Sequence, residues 1–552
     1  MSEQARGMVS RREFLARSAA VGAGLAGAAG LVGSAGTPLL LPRGAAAAPA
    51  RPVTRPFVFA VRLEPISIDP HVQDSSFSQY GQRPAYEALV EYALGPDGRV
   101  GLEPALAESW QASPDGRTYT FKLRRGVRFT DGAPFNAEAA KFNFDRLFAL
   151  NRGPAARIRK PKSVEAVDET TLRLTLEEPY APFLAALTQQ PLMVSPASGR
   201  RYEQRGDWGM QWFGNNTAGT GPFVLEQYVR GQHLTYARNR GYWRGWRGGF
   251  LERIVLRVVR EPATQRLMLE TGDADLADNI AFDDLNALGR APGVVVQEEV
   301  NNPEIIHLCL KSAGPLANRK VRQAIAQVFD YNAFITGVVA GRARQPLGPV
   351  PFGVWALDES LQPYRRDLER ARKLMAEAGF PQGGFNVTVQ TISAFGWWLT
   401  RLAQILQQNL AVIGVRATID DKPDGGTFLR AIWDRARGPD IYVWVSRYGI
   451  DDPDFEIRRL YHSELTGARG ANGMYYGNKL LDKLLDEAVA TTDVARRKAL
   501  YVRIQRILRD DVPALWAAQM KWPVTRRETL AGYVWNPFSI GVPNYRLLSL
   551  SR

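Results

Sequence analysis

Two hydrophobic periods divide the chain. Around residues 109–177 apolar positions recur at every second residue. Tyr119, Phe121 and Leu123 alternate with Thr118, Thr120 and Lys122, and Leu172, Leu174 and Leu176 alternate with Arg173, Thr175 and Glu177. A period of two turns one face to a core and the other to water, which predicts half-buried antiparallel strands. The Pro-Asp-Gly turn inside Ser109–Leu123 joins two such arms into a hairpin. Between the strands, Asn136 is placed to cap a helix whose Ala140, Phe144, Leu147 and Phe148 share one face. Upstream, Arg55–Val61 is a short strand that runs on towards Ile68-Asp-Pro-His71. This half is an α+β block.

The second half changes period. Asn318–Ala333 is expected to be one helix, followed by proline-rich loops from Pro346 to Pro363. Leu368, Ala371, Leu374 and Ala378 then form a helical stripe that stops at Gly379. Strand Phe385–Thr391, helix Leu399–Ile413 and strand Val415–Ile419 make a β-α-β unit, and the apolar run Asp440–Ser446 adds a buried strand. Two further helices span Asn478–Thr491 and Val494–Arg509. Strand–helix alternation of this kind predicts a largely parallel sheet, so the fold class is α/β, mixed α+β over the whole chain.

The first 50 residues follow neither pattern. Gly22, Gly24 and Gly27 spell G-x-G-x-x-G, the glycine loop that cradles a dinucleotide phosphate. That loop needs a strand before it and an acidic residue about 20 positions after it. Here an alanine-rich run precedes the glycines, and Thr37–Arg43 supplies no carboxylate. Ser10-Arg-Arg-Glu-Phe-Leu15 instead matches the twin-arginine export signature, with Arg11 and Arg12 as the pair. A weakly apolar Ala/Gly core follows, then small residues suited to a peptidase at Ala45–Ala50. The segment is too weakly apolar for a transmembrane span. Residues 1–50 are therefore expected to be a removable twin-arginine signal peptide, and the mature chain to work outside the cytoplasmic membrane.

Composition narrows the function classes. Hydrophobic residues at 45% and charged residues at 23% are ordinary for a globular protein, and 552 residues exceed one core, so two or three lobes are expected. The net charge of +14 comes from 58 Arg and 12 Lys scattered along the chain, with no basic tract or aromatic–basic motif, so no nucleic-acid partner is implied. The single cysteine, Cys309, sits in Ile305–Leu310, where an inert core thiol is expected. No cysteine is placed to carry a lipid anchor, so the mature protein is expected to be soluble.

An exported enzyme is the rival class. The four histidines, His71, His233, His307 and His462, are not spaced as metal ligands of one another. The chain lacks a G-x-S-x-G elbow, an H-E-x-x-H helix and a Walker loop. Asp451-Asp452 and Asp510-Asp511 are acidic pairs, but adjacent acids are common in turns and caps and make no dyad by themselves. Neither a metal nor a cofactor is expected.

Several stretches carry a resemblance. Tyr86-Glu-Ala-Leu-Val90, Gly95-Pro-Asp-Gly98, Glu103–Trp110, Ser113–Phe129 and Asp131-Gly-Ala-Pro-Phe-Asn-Ala137 resemble the bacterial extracellular solute-binding proteins of family 5. So do Gly219-Thr-Gly-Pro-Phe223, Leu269–Asp275, Val321-Arg-Gln-Ala-Ile325, Ala371–Phe380 and Arg497–Leu508. The pieces occur in the family's order over residues 57–545. The resemblance implies the two-lobed periplasmic binding protein fold of the cluster C type with an extra inserted domain. Lobe I would comprise residues 55–85, 218–300 and 516–552, the inserted domain II residues 86–217, and lobe III residues 301–515. It implies a monomeric, non-catalytic receptor that closes on a small polar solute, a short peptide or amino-acid derivative first. An oligosaccharide, an opine or a nickel chelate is the alternative within the family. Implied partners are an ABC permease and its ATPase, with the Tat translocon during export.

A buried polar ligand wants aromatic walls and a few charges aimed at its ionised groups. Three loops concentrate such residues: Ser75, Ser76 and Phe77; Trp397 and Trp398; and Trp444, Arg447, Tyr448 and Asp451. Tyr475 lies in a fourth loop, where a structural role is as plausible. One of the two tryptophans is as readily packed beneath the helix that follows it, and Arg447 with Asp451 is as readily an exposed ion pair. The resemblance also has a departure. The dipeptide-binding branch holds the ligand's amino group with an Asp three residues before an Asp-Pro-Asp turn; here the turn is Asp452-Pro-Asp454 and that position is Gly449.

Overall fold

The computed structural model describes residues 55–551, apart from 96–99, 247–249, 468–469 and 540. Arg11, Arg12 and the remainder of the expected signal peptide lie outside the described residues.

Two large sheets and one smaller sheet organise the molecule. The first has seven strands in the order Val294–Glu299, Trp522–Arg527, Leu276–Ala277, Phe57–Val61, Arg253–Val258, His233–Arg238 and Phe223–Val229. Phe57–Val61 runs parallel to both of its neighbours. Its residues are apolar throughout because both faces are covered. Phe57, Phe59 and Val61 enter one core, while Ala60 enters a second with Leu269, Leu285 and Leu288. Alternating side chains of one strand thus feed two cores.

The second sheet has six strands in the order Ala343–Arg344, Ala514–Met520, Glu304–Leu310, Ile441–Arg447, Asn386–Thr391 and Arg416–Asp421. Asn386–Thr391 is parallel to both of its neighbours, and helix Trp397–Ala411 is the crossover between it and Arg416–Asp421. Every residue of Ala514–Met520 is buried. Cys309 is fully buried in the same core, and burial pushes its thiol pKa well up. The chain passes between the two large sheets through residues 300–303 and again through Lys521.

The third sheet is the one the alternating pattern predicts. Ala107–Ala112, Thr118–Leu123, Thr171–Thr175 and Ser163–Asp168 are antiparallel, and Tyr119, Phe121, Leu123, Leu172 and Leu174 point into one core with Phe144 and Leu147 of helix Ala137–Leu150. The hairpin turn closes with the Gly116 amide donating to the Ser113 carbonyl at 2.9 Å; Gly116 takes φ +67°, where a Cβ is disfavoured.

One expected helix is two. Residues 318–333 form Arg319–Val328 and Tyr331–Ile335, because Phe329 is extended and the Asp330 carboxylate caps the second piece by accepting from the Ala333 amide. Asn409 of the crossover helix accepts from the Asp330 amide at 2.7 Å and fixes the break. The Ile68–His71 turn is likewise locked from a distance. Arg146 donates to both oxygens of Asp69, at 2.9 and 2.5 Å, and both side chains are fully buried. His71 donates Nε2–H to the Leu192 carbonyl and accepts from Arg146 at Nδ1, and burial beside that cation keeps it neutral.

Candidate functional site

The topology locates a crevice on each large sheet. In open α/β sheets, ligands gather beyond the carboxyl ends of parallel strands where successive connections diverge. In the second sheet that point lies between Asn386–Thr391 and Ile441–Arg447. The chain leaves the first of these for a strand on one side, then returns through helix Gly425–Ile432 to the other side. Segments 392–396 and 448–453 emerge there, so Trp397 and Trp398, expected on a loop, open the helix that follows. In the first sheet Phe57–Val61 lies between two parallel neighbours, so Arg62 and Asp278 emerge side by side. The Arg62 amide donates to Asp278 Oδ1 at 2.8 Å.

These two edges face each other. The Tyr80 hydroxyl feels the charges of Asp278, Arg62 and Arg447 as well as Tyr533, so it stands where the first sheet meets the end of Ile441–Arg447. The Arg447 guanidinium also lies 5.1 Å from the Trp522 ring of the first sheet.

The sequence-predicted residues take varied places around this junction. Ser75 caps helix Ser76–Gln82, its Oγ accepting from the Ser78 amide, and Ser76 is the first residue of that helix. Phe77 is half-buried, with Tyr80 edge-on at 6.2 Å and Arg62 over its ring at 5.1 Å. Trp397 stands 52% exposed at the rim, while Trp398 packs against the core of the second sheet. Trp444 stacks on Phe428 and its buried indole N–H has no partner among the described residues.

Arg447 is engaged. Its Nε donates to Glu304 Oε2 at 2.8 Å and Nη2 bonds the same oxygen, because the two residues are register partners on adjacent strands. Asp451 accepts from the Trp355 amide at 2.9 Å, and its own amide donates to the Tyr92 hydroxyl at 2.9 Å. Burial, with Asp452 adding to it, raises the Asp451 carboxyl to about 6. Tyr448 and Tyr475 are tied to backbone, donating to the carbonyls of Pro349 and Trp433. The structure therefore brings Phe77 and Arg447 to the junction, ties Asp451 to Trp355 and Tyr92, and holds the two tyrosines by their hydroxyls.

Sequence reasoning missed Arg62, Tyr80, Tyr92 and Asp278. The available signal was position: Arg62 and Asp278 each directly follow a short apolar strand, at the edge where ligands collect. Asp278 is pushed up to about 6, chiefly by burial, with Arg62 opposing. Among the described residues no cluster of His, Cys, Asp and Glu is arranged to hold a metal ion. A cavity of about 370 Å³ lies between residues 83–104 and 534–547; Tyr92, whose hydroxyl accepts from the Asp451 amide, is in its lining.

Comparison with known proteins agrees with this architecture. The sequence model of the bacterial extracellular solute-binding proteins, family 5 Middle, matches residues 101–466. The chain is 30% identical over 497 residues to the probable D,D-dipeptide-binding periplasmic protein of Escherichia coli K12, covering 89% of this chain and 94% of that one. It is 30% identical over 528 residues to di/tripeptide-binding protein 2 of Pseudomonas aeruginosa UCBPP-PA14, covering 91% and 96%. The solved ABC transporter-associated periplasmic binding protein of Helicobacter pylori, in complex with the peptide STSA, superposes with a TM-score of 0.76 at 26% identity, over 90% of this chain and 98% of that one. The chain belongs to the bacterial extracellular solute-binding proteins of family 5, which are transport receptors and not enzymes.

Proposed function

We propose that this receptor captures a short peptide or an amino-acid derivative in the periplasm and hands it to the permease and ATPase of an ABC importer. The observation that carries the reading is the convergence of two carboxyl-end edges bearing charges of both signs and aromatic walls. A peptide with free ends is a zwitterion with apolar side chains, and such an edge-to-edge junction is its complement. The relatives named above are described as binding dipeptides and tripeptides, which points the same way. Residues 55–85, 218–300 and 521–552 act as lobe I, residues 301–520 as lobe III, and 86–217 as the inserted domain; the expected boundary at 515 moves to 520 because Ala514–Met520 is a strand of the second sheet. Lobes I and III close on solute about the links at 300–303 and Lys521.

In this reading Trp397, Trp398, Trp444 and Phe77 supply apolar walls. Ser75 caps the helix that begins at Ser76 and carries Phe77, and Tyr448 and Tyr475 brace the second lobe through backbone carbonyls. Arg447 offers its planar fork to a carboxylate when Glu304 yields, and Asp451 faces a cationic group. The chain works as a monomer and reaches the periplasm through the twin-arginine pathway.

A thermal-shift screen against unmodified dipeptides and tripeptides tests this. A ligand at about 100 times its Kd stabilises by roughly 2.7 kcal/mol, an easily read rise in Tm. X-ray scattering on the same samples should show a monomer whose radius of gyration falls on binding. If no peptide raises the Tm while oligosaccharides or opines do, the peptide reading is wrong.

A further inference from the structure

The second sheet's charges are already spoken for. Arg447 is bonded to Glu304, Asp451 accepts from the Trp355 amide, and Gly449 stands where the dipeptide-binding branch has its Asp. Across the junction the situation is reversed. Among the described residues the Arg62 guanidinium makes no hydrogen bond, and its Nε is buried without a partner. Asp278 Oδ1 accepts from the Arg62 amide and from Gln265 Nε2, but Oδ2 is buried and accepts from nothing. The guanidinium and the carboxylate do not pair with each other, although the two residues are joined through the Arg62 amide.

A buried donor and a buried acceptor that stand close without meeting are costly unless a third group satisfies both. The 2-amino-acyl end of a peptide is such a group, with an ammonium nitrogen three bonds from a carbonyl or carboxylate oxygen. We propose that Asp278 binds the free α-ammonium of the solute and Arg62 the adjacent carbonyl or carboxylate oxygen. The α-ammonium then lies on the first sheet's edge, and the cationic group left to Asp451 is one on a side chain of the solute. Phe77, held under Arg62, lines the same end. The assignment rests on the peptide reading above and narrows it to solutes with an unblocked α-amine; N-blocked peptides and sugars are excluded.

The test uses titration calorimetry on the mature protein with each di- or tripeptide found to bind in the thermal-shift screen, together with its N-acetylated form. N-acetylation should weaken binding by about 100-fold, the size expected for losing a charge-assisted hydrogen bond. Asp278→Asn should weaken the unmodified peptide by a similar factor and leave the N-acetylated one unaffected. Arg62→Met should weaken both forms. Asp278→Asn keeps the acceptor for the Arg62 amide and removes an unpaired buried charge, so the unliganded Tm should not fall; this separates lost binding from lost folding. If peptides bind but N-acetylation is silent, or Asp278→Asn binds as wild type does, the assignment is overturned while the peptide reading stands. If no peptide binds the wild-type protein, both fall together.

Discussion

Replacing Arg497 by Met should produce a loss of stability that depends on pH in a predictable direction. Arg497 donates to both oxygens of Asp452, at 2.5 and 2.9 Å, from side chains only 6% and 4% exposed. Its Nε donates to the Ala488 carbonyl, and the guanidinium lies 5.1 Å from the Trp355 ring. Burial already raises the Asp452 carboxyl, with Arg497 opposing. Arg497→Met keeps the apolar stem and strands the carboxylate, which costs about 3–5 kcal/mol at pH 7.5. The carboxyl then takes up a proton in the folded state while it stays ionised in the unfolded chain. The folded state binds more protons, so stability falls as pH rises, by about 1.4 kcal/mol per unit below the new folded pKa. Moving from pH 7.5 to 5.5 should therefore restore up to roughly 2.7 kcal/mol of the variant-minus-wild-type difference. The double variant Arg497→Met/Asp452→Asn, with no charge to strand, should recover most of the loss at both pH values. Urea unfolding followed by tryptophan fluorescence reads all of this, with wild type as the reference so that other groups cancel. A deficit independent of pH, together with a double variant as unstable as the two single losses added, would refute the stranded-charge argument.

Two further outcomes are expected. Arg11→Lys with Arg12→Lys should leave the precursor in the cytoplasm, read by fractionation; normal export of the double variant would remove the twin-arginine assignment. Cys309 should react with a maleimide only after unfolding, since its thiol is fully buried and its pKa is raised; labelling of the native protein at the unfolded rate would contradict its place in the core.

The strands of the third sheet were readable because each buries one face, so Tyr119, Phe121 and Leu123 announce themselves within six residues. The parallel strands were readable as apolar runs between helices. The helix break at Phe329 was not, since it depends on Asn409, far away in sequence. The same limit applies to the site. Arg447 was found because it sits in an aromatic run, read as a loop but in fact the end of strand Ile441–Arg447, and its partner Glu304 lies 143 residues earlier. Arg62 and Asp278 meet only because Phe57–Val61 and Leu276–Ala277 pair, and nothing local to either residue states that pairing. Residue types that can hold a charge are visible in a sequence; which of them have already spent that capacity on a neighbour is a property of the fold.

The placement of Trp522–Arg527 between Val294–Glu299 and Leu276–Ala277 has a consequence for synthesis. On the ribosome, the first sheet's earlier strands emerge with two unpaired edges where that late strand belongs, and the whole second sheet is translated before it arrives. Exposed strand edges invite pairing with other chains, and long-range pairings form slowly. The second sheet draws all its strands from residues 304–520, and its own late strand, Ala514–Met520, precedes Trp522–Arg527 by one residue. Both sheets therefore wait for strands that emerge together, but the first has held its edges open since residue 299, so a nascent chain needs those edges guarded until then.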